Sequence, residues 1–107
     1  MENYTKLVAL LPHLKAVKRP TYIKALDAVI VPTNIGCGEC GKGRKHIVIF
    51  GYSDIWTACD YCGFHEWEWT EGDDPSYLEY LNRFYKIEVL YGTKLQRLVA
   101  MLRDGLG

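Results

Sequence analysis

Cys37-Gly38-Glu39-Cys40-Gly41 and Cys59-Asp60-Tyr61-Cys62-Gly63 hold all four cysteines of the chain, and their reading decides how its middle is built. Eighteen residues, Gly41 to Ala58, separate the two Cys-x-x-Cys pairs. That spacing lies within the pattern of a metal site with two cysteine pairs. Thiolates hold a metal at about 2.3 Å in a tetrahedron, so each pair must turn sharply to aim two sulfurs at one point. Gly41 and Gly63 follow the second cysteine of each pair and supply the positive φ that such a turn needs. Two disulfides are the alternative. The paired spacing and an N-terminus, Met1-Glu2-Asn3-Tyr4, without an export signal favour metal-bound thiolates in a reducing cytoplasm.

The repeated Cys-x-x-Cys-Gly unit resembles the knuckle of the zinc-ribbon superfamily over roughly residues 35–69. The resemblance implies a three-stranded antiparallel ribbon with one structural Zn2+ on Cys37, Cys40, Cys59 and Cys62. It implies little about task, because zinc ribbons serve in primases, topoisomerases, RNA polymerase factors and protein-binding adaptors. A closed set of four thiolates leaves no open position for substrate, so the metal would fold the ribbon and catalyse nothing. Iron in a rubredoxin-like site is the rival metal, although rubredoxins usually place their knuckles farther apart. A dithiol redox pair would need a Cys-x-x-Cys opening a helix after a strand, and neither pair has that setting.

Working outward, His46–Tyr52 and Ile55–Ala58 read as strands from their β-branched and aromatic content, with Ser53-Asp54 as the turn. Phe64–Thr70 alternates, with His65, Trp67 and Trp69 on one face and Glu66 and Glu68 on the other. Before the knuckles, Leu7, Leu10, Leu11, Leu14 and Val17 recur at helical spacing, interrupted by Pro12. Tyr22, Ile23, Leu26, Val29 and Ile30 fit a second helix capped by Thr21 and ended by Pro32. After them, Asp74 as the cap and Pro75 at the first position open a helix bearing Tyr77, Tyr80, Leu81, Phe84, Ile87 and Tyr91 on one face. Ile87 and Val89 also fit a strand, so residues 85–91 stay open between helix and strand. Gly92 as a C-cap and Thr93 as the next N-cap separate this from a last stripe of Leu95, Leu98, Val99 and Leu102. The expectation is an α+β fold in one domain, 1–107. It has a helical segment 1–34, a three-stranded antiparallel zinc ribbon 35–70 and a helical segment 71–107. A bare ribbon has little core, so replacing Cys40 or Cys59 would leave it disordered.

Lys and Arg number 13, as do Asp and Glu, so the net charge is zero. The charges are segregated. The chain is basic up to Lys45, carries acids but no Lys or Arg from His46 to Tyr80, and is mildly basic beyond. No apolar run approaches membrane-spanning length. Lys42, Arg44 and Lys45 follow the first knuckle and form a candidate phosphate-contacting tip, or else a merely soluble basic turn. The aromatics Phe50, Tyr52, Trp56, Tyr61, Phe64, Trp67 and Trp69 could stack on unpaired bases. Packing of Trp67 and Trp69 against flanking helices is the reading favoured for those two. Glu66 and Glu68, with Glu71, Asp73, Asp74 and Glu79, form an acidic cluster suited to a basic partner surface or to plain solvation. His65 is read as a surface residue or a neighbour of the metal site, and His13 and His46 as solvent-exposed or core-edge.

Two functional classes follow, and no constellation supports an enzyme. One is a small structural-zinc regulator that binds nucleic acid or a transcription or replication complex through Lys42, Arg44 and Lys45. The other is a protein-binding adaptor or inhibitor acting on a host protein through Glu66, Glu68 and exposed tyrosines. Viral and mobile-element proteins of this size are associated with the second class.

Overall fold

Two apolar runs, Ala28-Val29-Ile30-Val31 and Ile47-Val48-Ile49-Phe50, are buried at every residue, and this sets the architecture. In a strand, successive side chains point to opposite faces, so a run buried throughout needs a cover on both sides. The computed structural model, which describes residues 2–51, 54–69 and 75–105, supplies both covers. An antiparallel five-stranded sheet runs in the order β1 (Thr21–Ile23), β2 (Ala28–Gly36), β3 (Arg44–Phe50), β4 (Asp54–Cys59), β5 (His65–Trp69). Each strand pairs with its neighbour in sequence.

One face carries Ala28, Ile30, Val48, Phe50 and Ala58 against Leu7, Leu10 and Leu14. These leucines come from α1 (Asn3–Leu10) and the 3₁₀ segment Leu11–Ala16. Pro12 stands at the start of the 3₁₀ segment, where its missing N–H costs least, and it splits the helix as expected. The other face carries Val29, Val31, Ile47, Ile49 and Ile55. It packs on Leu81, Tyr85, Ile87, Leu95, Leu98 and Val99 from α2 (Pro75–Phe84), α3 (Ile87–Tyr91) and α4 (Leu95–Asp104). The buried Asn82 side chain accepts a hydrogen bond from the Leu95 N–H at 2.9 Å, satisfying a free donor at the start of α4. No helix among the described residues is long and apolar enough to cross a membrane.

Several expectations need correction. The helix expected over Tyr22 to Ile30, and with it an all-helical segment 1–34, gives way to β1, a 3₁₀ turn at Lys24–Leu26, and β2. Thr21 therefore caps nothing, and its hydroxyl donates to Arg19 O at 2.8 Å. The three-stranded ribbon becomes the larger half of a five-stranded sheet. Pro32 does not end an element. It lies inside β2, where the register with β3 slips between Pro32 and Gly36. There Thr33 Oγ1 donates to Lys45 O at 2.6 Å and accepts from Ile35 N at 3.2 Å, standing in for lost ladder bonds. Residues 85–91, open between helix and strand, are helical from Ile87, after Lys86 breaks the chain direction at φ 55°. Gly92 ends α3 at φ 75° as expected. Thr93 does not cap α4, because the position before Leu95 is Lys94. The expected cap Asp74 lies outside the described residues.

A candidate metal centre and the basic cleft beside it

β3 pairs with both β2 and β4, so the β2–β3 turn and the segment after β4 emerge at the same end of the sheet. These two places are the knuckles. The sulfurs of Cys37, Cys40, Cys59 and Cys62 all lie within 4.8 Å of one another. Cys37 Sγ is 3.8 Å from Cys62 Sγ, and Cys40 Sγ is 3.7 Å from Cys59 Sγ. A tetrahedron with metal–sulfur bonds of about 2.3 Å has edges of about 3.8 Å. The four cysteines therefore fit one metal ion, and all four are free thiols rather than disulfides.

The backbone prepares these sulfurs for negative charge. Tyr61 N–H and Cys62 N–H donate to Cys59 Sγ at 3.3 and 3.4 Å. Lys42 N–H donates to Cys40 Sγ at 3.5 Å and Phe64 N–H to Cys62 Sγ at 3.4 Å. Gly41 and Gly63 take φ of 67° and 77°, as the knuckle reading requires. The N–H groups of Lys42 and Gly43 hold the Cys40 thiol down at about 6. Phe64 N–H pulls Cys62 down, but burial and the three neighbouring sulfurs outweigh it and push that thiol up to about 12. Four sulfurs this close cannot all ionise unless a cation joins them, and that is the chemistry a bound metal supplies.

Gly43 was missed in the sequence, and no local pattern marks it. A Cβ there would lie 2.5 Å from Cys59 Sγ and 2.6 Å from Tyr61 Cβ, so only glycine allows the knuckles to approach. Its carbonyl accepts from Cys37 N at 2.9 Å.

Beside the centre is a cleft of about 310 Å³, between the end of the 3₁₀ segment and the knuckles. Lys15 and Lys18 come from one wall, and Lys42 and Arg44 from the other. Among the described residues, Asp60 is the one carboxylate in its lining. Tyr61, 54% exposed, has Lys15 Nζ 5.1 Å and Lys42 Nζ 5.6 Å from its ring centroid. His46 lines the cleft and is only 3% exposed, so of the two expected placements it takes the core edge and not the solvent-exposed one. Its Nε2 lies 3.2 Å from Val17 O and its Nδ1 3.4 Å from Arg44 O, so the ring ties the two walls together.

Of the cationic tip, the fold brings Lys42 and Arg44 into this cleft and separates Lys45 from them. Lys45 follows Arg44 along β3, so it points to the opposite face, where its charge acts on Glu68. The acidic pair divides as well. Glu66 is exposed, whereas Glu68 is half-buried and accepts from Tyr77 OH at 3.3 Å. Burial raises the Glu68 carboxyl above its usual range. Of the other candidate acids, Glu71, Asp73 and Asp74 lie outside the described residues. Glu79 is occupied by Gln96, Arg83 and Lys94.

His65 is not a ligand. Its Nδ1 lies 2.9 Å from Gly63 O, and its ring sits against Tyr4 and Trp56. Trp67 does not pack into the core as expected. It is 54% exposed and donates from Nε1 to Asp54 Oδ1 at 3.0 Å. Trp56 takes the packing role, 5.9 Å from the Tyr4 ring of α1. Searches of protein-family models, of curated proteins and of solved structures find no match to this chain.

Proposed function

We propose that this is a small structural-zinc protein that binds nucleic acid, on its own or within a transcription or replication complex. The observation that carries the reading is the cleft beside the four-cysteine cluster, lined by Lys15, Lys18, Lys42, Arg44 and the exposed Tyr61, with Lys15 and Lys42 over the Tyr61 ring. Zinc is the ion proposed, because a closed four-thiolate tetrahedron is its usual structural site. The reading includes no catalysis, since such a site keeps no open coordination position.

A plainer account of the cations is that they offset the negative charge of a metal–tetrathiolate. Lys42 and Arg44 sit where that would serve. Lys15 and Lys18 come from a different element and face the same space, which favours a bound anion over local compensation.

Titration of the metal-loaded protein with a labelled oligonucleotide tests this. Binding should weaken steeply with salt, and the slope should fall by about one for each phosphate-contacting cation removed. Lys42→Ala and Arg44→Ala should each reduce affinity, and Lys45→Ala should not. Absence of binding at low salt refutes the proposal.

A second reading, a protein-binding adaptor or inhibitor without nucleic-acid contact, draws on the opposite side of the molecule. There Tyr80, Phe84 and Val89 are exposed on the helical layer, Val89 at 82%. Retention of a specific partner by the wild type, lost in Tyr80→Ala/Phe84→Ala and kept in Lys42→Ala/Arg44→Ala, would favour it.

A further inference from the structure

We infer that the cleft receives a single unpaired nucleotide of a single-stranded nucleic acid. Its base stacks on Tyr61, and its flanking phosphates meet Lys15, Lys18, Lys42 and Arg44. This rests on the nucleic-acid reading above and narrows it to one strand class and one stacking residue.

The first argument is size. A cleft of about 310 Å³ lies at the lower end of small-ligand sites, which run from ~300 to ~1,000 Å³. It holds one nucleotide, whereas a duplex presents a convex row of phosphates with its bases stacked inside. The second is chemistry. Cations alone would suffice for a duplex backbone, but this site puts a half-exposed aromatic ring among them. Base–aromatic stacking is indifferent to sequence and needs an unpaired base.

The third argument is competition for the ring. Lys15 and Lys42 lie over Tyr61, so a base must displace an ammonium. An exposed cation–π contact is weak beside a stacked base, so the base wins. The released lysine then has a phosphate within reach. That ammonium exchanges an aromatic face for an anion, and before binding the ring keeps the cations gathered where the phosphates will be. The Tyr61 backbone that carries the ring is anchored to the cysteine cluster, because its N–H bonds Cys59 Sγ.

The test uses the metal-loaded full chain and fluorescence anisotropy at low salt. The probes are a short single-stranded DNA, the same sequence as RNA, the matching duplex, and a single strand of abasic sites with the same phosphates. Single strands should bind more tightly than the duplex and the abasic strand. Tyr61→Leu should weaken single-strand binding by about 5- to 150-fold, the range of one lost base stack. It should leave abasic-strand binding unchanged, and Tyr61→Phe should restore the wild-type value. Lys15→Gln, on the opposite wall and outside the knuckles, should weaken every probe. Metal content and melting temperature of each variant are measured alongside. Duplex binding equal to single-strand binding, or a Tyr61→Leu protein of unchanged affinity, overturns this inference and leaves the broader reading standing. No binding of any probe overturns both.

Discussion

The backbone N–H of Arg44 donates to Asp60 Oδ1 at 2.9 Å, and Asp60 N–H returns a bond to Arg44 O at 3.1 Å. Arg44 is the first residue after the β2–β3 turn, and Asp60 lies between the cysteines of the second knuckle. The pair therefore locks one knuckle to the other without using the metal. Asp60 also contributes the one acid in the lining of a cationic cleft.

These two roles of Asp60 separate by substitution. Asp60→Asn keeps an acceptor oxygen for Arg44 N–H and removes the negative charge. It should leave metal content unchanged and tighten nucleic-acid binding up to about fivefold, the scale of one partly exposed charge. Asp60→Ala removes both. It should lower metal affinity, read by competition with a colorimetric chelator. Identical chelator competition by the two variants would show that the Arg44 bond does not position the knuckle.

His46 should matter to the cleft and not to the metal. Lys15 and Lys18 flank Val17, whose carbonyl is the partner of His46 Nε2 at 3.2 Å. His46→Phe keeps the bulk and removes that carbonyl's partner, at a cost of up to ~1 kcal/mol for a half-buried hydrogen bond. Melting temperature should fall, and single-strand affinity should drop several-fold, with full metal content. Unchanged affinity would mean that the wall is held by the Leu7–Leu10–Leu14 packing alone.

Removal of the metal should open the knuckles and spare the core. The sheet carries apolar layers on both faces, so it does not depend on the ion in the way a bare ribbon would. A chelator should abolish oligonucleotide binding and expose amides around Cys37–Gly43 and Asp60–Phe64 to hydrogen exchange. Amides of Val29–Val31 and Ile47–Ile49 should stay protected. Global loss of protection on chelation would instead support the disordered product expected for Cys40→Ser or Cys59→Ser.

Acid should weaken the far end of the sheet. Burial pushes the Asp27 carboxyl up, but the Tyr22 hydroxyl at 2.8 Å and the Arg103 guanidinium at 2.7 Å outweigh it, and the net is below the usual 3.8. A carboxylate held lower in the folded chain contributes stability that is complete above its unfolded value and lost as pH falls through its folded one. Wild type should thus exceed Asp27→Asn in stability at neutral pH, by a small margin because Asp27 is nearly half exposed. The two should converge below about pH 3.8, as thermal melts across that range would register. A constant gap at all pH values would exclude the ion pair as its source.

The four-cysteine cluster was legible because its geometry is local. Two Cys-x-x-Cys-Gly units each encode their own turn, and no distant residue is needed to read them. β2 was misread for a related reason. Val29-Ile30-Val31 is apolar on both faces, so it has no period of two, and a short apolar run fits a helix as well as a buried strand. Its β-branched residues were the available signal. The cleft was half legible. Lys42 and Arg44 stand beside a knuckle, whereas Lys15 and Lys18 join them only through tertiary packing. Lys45 was grouped with them by adjacency, and strand alternation sends it to the other side.

The meander order of the sheet bears on how the protein is made. Every strand meets the one just before or after it in sequence, so residues 28–64 already contain both hairpins and all four sulfurs. A metal ion fitting those four sulfurs would be captured during synthesis before α2, α3 and α4 have been translated. It would then prop the nascent strands in register while Val29, Ile47 and Ile55 wait, uncovered, for the helices that will shield them.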